Sequence, residues 1–195
     1  MSAIGIKVKK ATGDYDLGAS KFFGSPTVPD GWEGKFYDTE MFFCQIRLSD
    51  LAEYDEENRL PHEGYLYVFL DIESYPFTPR VIYFNGQPSV VIDDFNEGTE
   101  GAERFTDAYL MSFTEVDDDA EGIKLFGSPC NWCYDDLVGL SDFSNYDDQP
   151  LKIFMQYDPL ASEMGFRDNV DGFVYLAFSS GSDKLEDVIY LEERS

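Results

Sequence analysis

Four blocks of this chain occur twice, in the same order. Lys21-Phe22-Phe23-Gly24-Ser25-Pro26 returns as Lys124-Leu125-Phe126-Gly127-Ser128-Pro129. Phe43-Cys44-Gln45-Ile46 returns in type as Phe154-Met155-Gln156-Tyr157. Gly64-Tyr65-Leu66-Tyr67 returns as Gly172-Phe173-Val174-Tyr175, and Arg80-Val81-Ile82-Tyr83-Phe84 as Asp187-Val188-Ile189-Tyr190-Leu191. The offsets stay between 103 and 111 residues. Chance supplies any one such match, but an ordered set reads as a duplication. The halves cover about 1–90 and 105–195, joined by an acidic loop at 93–104.

A strand-rich half of this size leaves open edges and one bare apolar face. Two similar halves can cover each other about a pseudo-two-fold axis, as an isologous dimer does. The expectation is one domain over residues 1–195 with a continuous core.

The local pattern is that of strands. Ile4, Ile6 and Val8 alternate with Gly5, Lys7 and Lys9, a period of two. Strands are predicted at 41–48, 64–71, 80–84, 90–92, 109–116, 151–157, 172–179 and 188–191. The aromatic run at 64–71 reads as a buried strand. Ser49 to Asn58 is predicted to hold a short helical turn capped by Ser49 or Asp50. No segment carries a long helical stripe. The 17 Phe and 13 Tyr suit half-buried pleated surfaces. The expected fold is mainly β, a single roll-like mixed or antiparallel sheet domain built from the duplication.

The same blocks, together with Phe42-Phe43-Cys44-Gln45-Ile46, Gly64-Tyr65-Leu66-Tyr67-Val68-Phe69 and Leu151-Lys152-Ile153-Phe154-Met155-Gln156, resemble the YwqG-like family of bacterial proteins. The resemblance runs from about residue 4 to residue 191. It implies a mainly-β, roll-like single domain in a bacterial cytoplasm, and brings no catalytic residues with it. Some relatives occur in the setting of toxin–immunity systems, which implies a toxin-neutralising role.

Charge narrows the partners. Lys and Arg total 14 against 39 Asp and Glu, a net charge of −25. Binding phosphate backbones works by cationic neutralisation, so nucleic acid is excluded as a partner. Anionic membrane surfaces are repelled as well, and no run of 18 apolar residues is present to span a bilayer. Residues 1–12 lack the apolar core of a signal peptide. An odd number of cysteines, 3, does not suggest a disulfide framework. A cytoplasmic protein with reduced thiols is expected.

No catalytic constellation is visible. His62 is the only histidine, and a serine or cysteine nucleophile needs a base beside it. Cys130-Asn131-Trp132-Cys133 lacks the further ligands of a structural zinc site, aspartates follow it, and the pair lies outside the family's pattern. Asp117, Asp119, Glu121 and Gly122 match the start of a calcium loop, but Ser128 stands where the bidentate Glu belongs. The Phe-Gly-Ser-Pro copies read as tight turns, without the further glycines of a phosphate loop. No cofactor or metal is expected.

Gln45 and Gln156 are the residues that the repeat nominates. An amide inside an apolar run must find partners; it either stitches a loop to its sheet or faces a shared cleft. Three acidic clusters form the second set: Asp93 to Glu103, Asp117 to Glu121, and Asp135 to Asp148. Trp132, Tyr134, Asp135 and Asp136 are the expected contact residues for a basic protein partner. The first expectation is thus a non-catalytic protein-binding module, an acidic immunity-like neutraliser of a basic toxin. The alternatives are a small-ligand binder or enzyme using a cleft between the halves, and a housekeeping protein whose acidity serves solubility.

Overall fold

Runs of β-branched and aromatic residues become strands almost everywhere the sequence places them. The structure, a computed structural model, describes residues 2–130, 137–138, 152–170, 172–179 and 181–193. Its strands are β1 Ala3–Lys10, β2 Lys21–Phe22, β3 Thr27–Val28, β4 Glu40–Arg47, β5 Tyr65–Asp71, β6 Thr78–Phe84, β7 Val90–Val91, β8 Tyr109–Val116, β9 Lys124–Leu125, β10 Leu137–Val138, β11 Ile153–Tyr157, β12 Val174–Phe178 and β13 Val188–Glu193. The chain is mainly β and its strand pairs are antiparallel. Helical structure among the described residues is limited to 3₁₀ turns such as Leu48–Asp50 and Leu185–Asp187. Among these residues no helix is long and apolar enough to cross a membrane.

Two compact units are present, residues 7–113 and residues 1–6 with 114–195. β1 and β8 contribute residues to both. In the first unit the strands are hydrogen-bonded in the order β8-β2-β4-β5-β6, with a separate β3-β7 ribbon. In the second the order is β1-β9-β11-β12-β13, and β10 extends it beyond β13.

These boundaries differ from halves at 1–90 and 105–195, for a physical reason. The acidic segment 93–104 is a series of turns pinned within the first unit. Asn96 is buried there; its Oδ1 accepts from the Phe42 amide at 2.7 Å, and its Nδ2 donates to the carbonyls of Phe42 and Phe105, both at 3.0 Å. Thr99 Oγ1 donates to the Glu40 carbonyl at 2.9 Å. The first residues of β1 pair instead with β9, Ile4 opposite Leu125.

Beyond β4, the predicted helical turn is shorter than expected. It is the 3₁₀ turn Leu48–Asp50, with Arg47 at the capping position and no side-chain cap. Asp50 instead accepts from the Ser20 hydroxyl at 2.7 Å.

β5 explains why the first unit packs. Tyr65 through Leu70 are all buried, so both faces of the strand are covered. Tyr65, Tyr67 and Phe69 join Val28 and Phe42 in one core cluster, against which Trp32, Phe36 and Phe84 pack. Each fully buried side chain of this size contributes roughly 1.5–3 kcal/mol. The second unit has a smaller cluster of Ile153, Tyr175, Ala177 and Leu191.

Details recur between the units. β4 shifts register between Phe42 and Cys44, and β11 between Ile153 and Met155, so Phe43 and Phe154 are the extra residues of two bulges. The amide of Phe23 donates to the Phe43 carbonyl at 3.0 Å, and that of Phe126 to the Phe154 carbonyl at 3.2 Å. Phe23 and Gly24 have φ of 53° and 71°; Phe126 and Gly127 have 62° and 81°. Glycine tolerates this left-handed backbone freely, but phenylalanine does not. Ring burial and the bond to the bulge hold each Phe there. At Gly127 a Cβ would meet the Asp118 carbonyl at 2.4 Å, so the turn also needs a residue without one.

Candidate functional site

Gln45 in β4 and Gln156 in β11 are completely buried. Gln45 Oε1 accepts from the Thr27 amide at 2.9 Å, and its Nε2 donates to the carbonyls of Leu17 and Ala19, both at 3.0 Å. Gln156 Oε1 accepts from the Cys130 amide at 3.0 Å, and its Nε2 donates to the carbonyls of Ala120 at 3.2 Å and Gly122 at 2.9 Å. Each amide therefore stitches two loop segments to its own sheet. A tyrosine completes each clamp. The Tyr67 hydroxyl donates to the Thr27 carbonyl at 2.9 Å, and the Tyr175 hydroxyl to the Cys130 carbonyl at 3.0 Å. Burial pushes both phenols up from their ordinary values.

The lysine heading each repeat copy lies beneath its clamp. Lys21 stands opposite Gln45 in the β2–β4 ladder, and Lys124 opposite Gln156 in β9–β11. Both lysines are fully buried. Lys124 Nζ donates to the carbonyls of Asp118 at 2.7 Å and Ser128 at 2.8 Å. Lys21 Nζ donates to the Leu17 carbonyl at 3.1 Å and sits 5.1 Å from the centre of the Tyr15 ring. Burial pushes the Lys21 amine down to about 8, and Lys124 shifts the same way for the same reason.

Folding therefore disfavours the charged amine. Between pH 8 and 10.5 Lys21 binds more protons in the unfolded chain than in the folded one, so its contribution to stability rises with pH through that window. Below it the penalty is complete, about 3 kcal/mol for Lys21. Chemical unfolding at about pH 7 and about pH 9 is expected to show the rise, and Lys21→Met to reduce it. An unchanged slope in that variant would mean that the ammonium is not desolvated.

Beside the Gln45 clamp the first unit holds a cleft of ≈ 320 Å³. One wall is the loop Asp16–Gly18, another the β3-β7 ribbon through Thr27 and Val91, and Arg47 and Tyr65 come from the facing ends of β4 and β5. Gln87, Pro88 and Ser89 close the rim. Arg47 Nη2 donates to Asp16 Oδ2 at 2.5 Å and Nε to the Gly18 carbonyl at 3.2 Å. The bond to Arg47 holds the Asp16 carboxyl below its ordinary value. The Leu17 carbonyl gathers three donors, Lys21 Nζ, Thr27 Oγ1 and Gln45 Nε2. No local pattern of residues points to this cleft, because Arg47 and Asp16 are 31 residues apart.

Some acidic side chains, such as Asp107 and Asp183, are exposed and ion-paired; two other kinds differ more sharply. Asp55, Glu40 and Glu192 are buried and held by Arg59, Arg80 and Arg167. Asp93, Asp94, Glu97, Glu100 and Glu103 are exposed, between the buried residues Asn96, Thr99, Ala102 and Phe105. None of these five is ion-paired among the described residues. In the second unit, Glu115, Asp117 and Asp118 line a depression of ≈ 440 Å³ with Ser2 and Val116. Glu115 and Asp117 are exposed and have no cationic partner among the described residues. Asp118 bonds the Ser128 hydroxyl, and its carbonyl accepts from the Ser128 amide.

Trp132, Tyr134, Asp135 and Asp136 lie outside the described residues, as does Cys133. Cys130 and Cys44 are buried free thiols, and burial pushes both up from the usual thiol range. His62 Nε2 lies 3.5 Å from Asp55 Oδ2, so the lone histidine belongs to a loop-closing cluster. Among the described residues no His, Cys, Asp and Glu side chains gather as metal ligands. No protein-family model matches the chain, and no curated protein matches its sequence.

Proposed function

We propose that the protein is a non-catalytic binding module, an acidic immunity-like neutraliser of a basic toxin such as a nuclease, working in a bacterial cytoplasm. The observation that carries this reading is the acidic depression of the second unit, where Glu115 and Asp117 stand exposed with no cation among the described residues to balance them. A lysine or arginine of a partner supplies the missing charge there. The exposed carboxylates of 93–103 add long-range attraction, which speeds encounter more than it strengthens binding.

The architecture belongs to the same proposal. The two units descend from one duplicated half of the YwqG-like kind. The corresponding runs β2-β4-β5-β6 and β9-β11-β12-β13, with their matching bulges and glutamine clamps, support this.

Charge reversal tests the reading. Glu115→Lys with Asp117→Lys is expected to slow association with the basic partner roughly tenfold or more at low salt. Its unfolding free energy should stay within about 0.5 kcal/mol of the parent, since both side chains are exposed. A variant that associates as fast as the parent contradicts the proposal.

A further inference from the structure

We infer that the cleft beside the Gln45 clamp binds a small zwitterion of the α-amino-acid class, its carboxylate on Arg47 and Tyr65 and its ammonium on Asp16. This goes beyond the protein-binding reading and uses the other unit.

The walls of the cleft are already fixed. Asp16 Oδ1 accepts from the Gly18 amide at 2.9 Å, and the three donors on the Leu17 carbonyl tie the loop to β2, β3 and β4. No ordering of the loop is needed on binding. The charged groups are nonetheless accessible: the Arg47 side chain is 31% exposed and that of Asp16 is 64% exposed. An ion pair this exposed contributes only about 0–1 kcal/mol, so a ligand's charges insert into it at little cost. The guanidinium carries five N–H donors; its bonds to Gly18 and Asp16 occupy two of them, and it also bonds the Tyr65 hydroxyl oxygen.

The clamp does not need these charges. At the matching positions of the second unit, Asp158 stands for Arg47 and Phe173 for Tyr65, yet the Gln156 clamp is complete. Arg47 and Tyr65 are therefore chemistry added to the frame on one side.

Balance of charge selects the ligand. Arg47 feels Asp50 as well as Asp16, and Asp16 feels Lys21 as well as Arg47, so the cleft presents charge of both signs to a ligand. A zwitterion keeps every charge paired and adds no net charge to a chain at −25. The volume lies at the small end of ligand pockets, roughly 300–1,000 Å³. Leu17, Pro88 and Val91 give an aliphatic side chain its apolar contact.

Thermal melts and titration calorimetry with the twenty L-amino acids at millimolar concentration test this, beginning with L-leucine. Two single-charge analogues serve as controls, 4-methylpentanoate and 3-methylbutylamine. The expected result is a raised melting temperature with aliphatic L-amino acids and clearly weaker effects with either analogue, since a ligand stabilises the state it binds. Arg47→Met should lower the affinity at least tenfold. Tyr65→Phe, which places the residue found at position 173, should lower it while preserving the melting temperature of the free protein. The inference is overturned if no L-amino acid shifts the melt, if an analogue binds as well as L-leucine, or if both folded variants keep full affinity.

Discussion

Asp55→Ala is expected to destabilise the protein by about 3–5 kcal/mol, the usual result of removing one partner from a buried ion pair. The Asp55 side chain is fully buried. Its Oδ1 accepts from Arg59 Nε at 3.0 Å and its Oδ2 from the Leu60 amide at 2.9 Å. Truncation strands the buried Leu60 amide and takes from Arg59 its closer carboxylate, leaving Glu57 at 3.9 Å. Burial alone would push this carboxyl up, but the Leu60 amide and Arg59 more than offset it and hold it below its ordinary value. A depressed carboxyl stabilises the fold above its unfolded value, near pH 4, and that contribution fades as pH falls through the folded value. Chemical unfolding across this acid range should lose part of its slope in Asp55→Asn. An alanine variant within about 1 kcal/mol of the parent would show that the loop closes without the carboxylate.

The second large effect falls on the clamps. Gln156→Leu strands the buried Cys130 amide and the part-buried carbonyls of Ala120 and Gly122, and Gln45→Leu strands the buried Thr27 amide and the Ala19 carbonyl, while the Leu17 carbonyl keeps its bonds from Lys21 and Thr27. A buried polar group left without a partner costs about 1–3 kcal/mol, so each variant is expected to lose about 3–5 kcal/mol after partial relaxation. The two losses should be similar, because the bonding patterns are. Both clamps carry a structural load that a marginally stable fold, at roughly 5–15 kcal/mol in total, cannot easily lose. Equilibrium unfolding in urea measures both. A large loss in one and a negligible loss in the other would break the equivalence.

Much of this is readable in the residues. β8 spans Tyr109–Val116, the range predicted for a strand, and β5 is the buried strand that its aromatic run implies. The glutamines stand out because an amide inside an apolar run must be met by donors and acceptors from elsewhere in the chain. The buried lysines do not, since Lys is rarely found fully buried. Their one signal is that Lys21 and Lys124 open both copies of the repeat. Asn96 is hidden by its acidic neighbours, which read as a loop and are in fact a pinned series of turns. The cleft is invisible because its parts come from residues 16–18, 27, 47, 65, 87–89 and 91. Periodicity reports the face on which a residue lies, not the distant segment that it meets.

Asp55, Glu40 and Glu192 are buried in ion pairs, whereas Glu115 and Asp117 stand exposed with no cationic partner among the described residues; the proposed function rests on this contrast. The most direct test immobilises the protein, passes native-host lysate over it at low salt, elutes with a salt gradient, and measures association of the eluted protein with parent and Glu115→Lys/Asp117→Lys. The expected result is a basic protein whose association slows as salt screens charge over about 8–10 Å, and slows again with the reversal. A retained partner whose association ignores both salt and the reversal, or no basic protein retained at all, would contradict the proposed function.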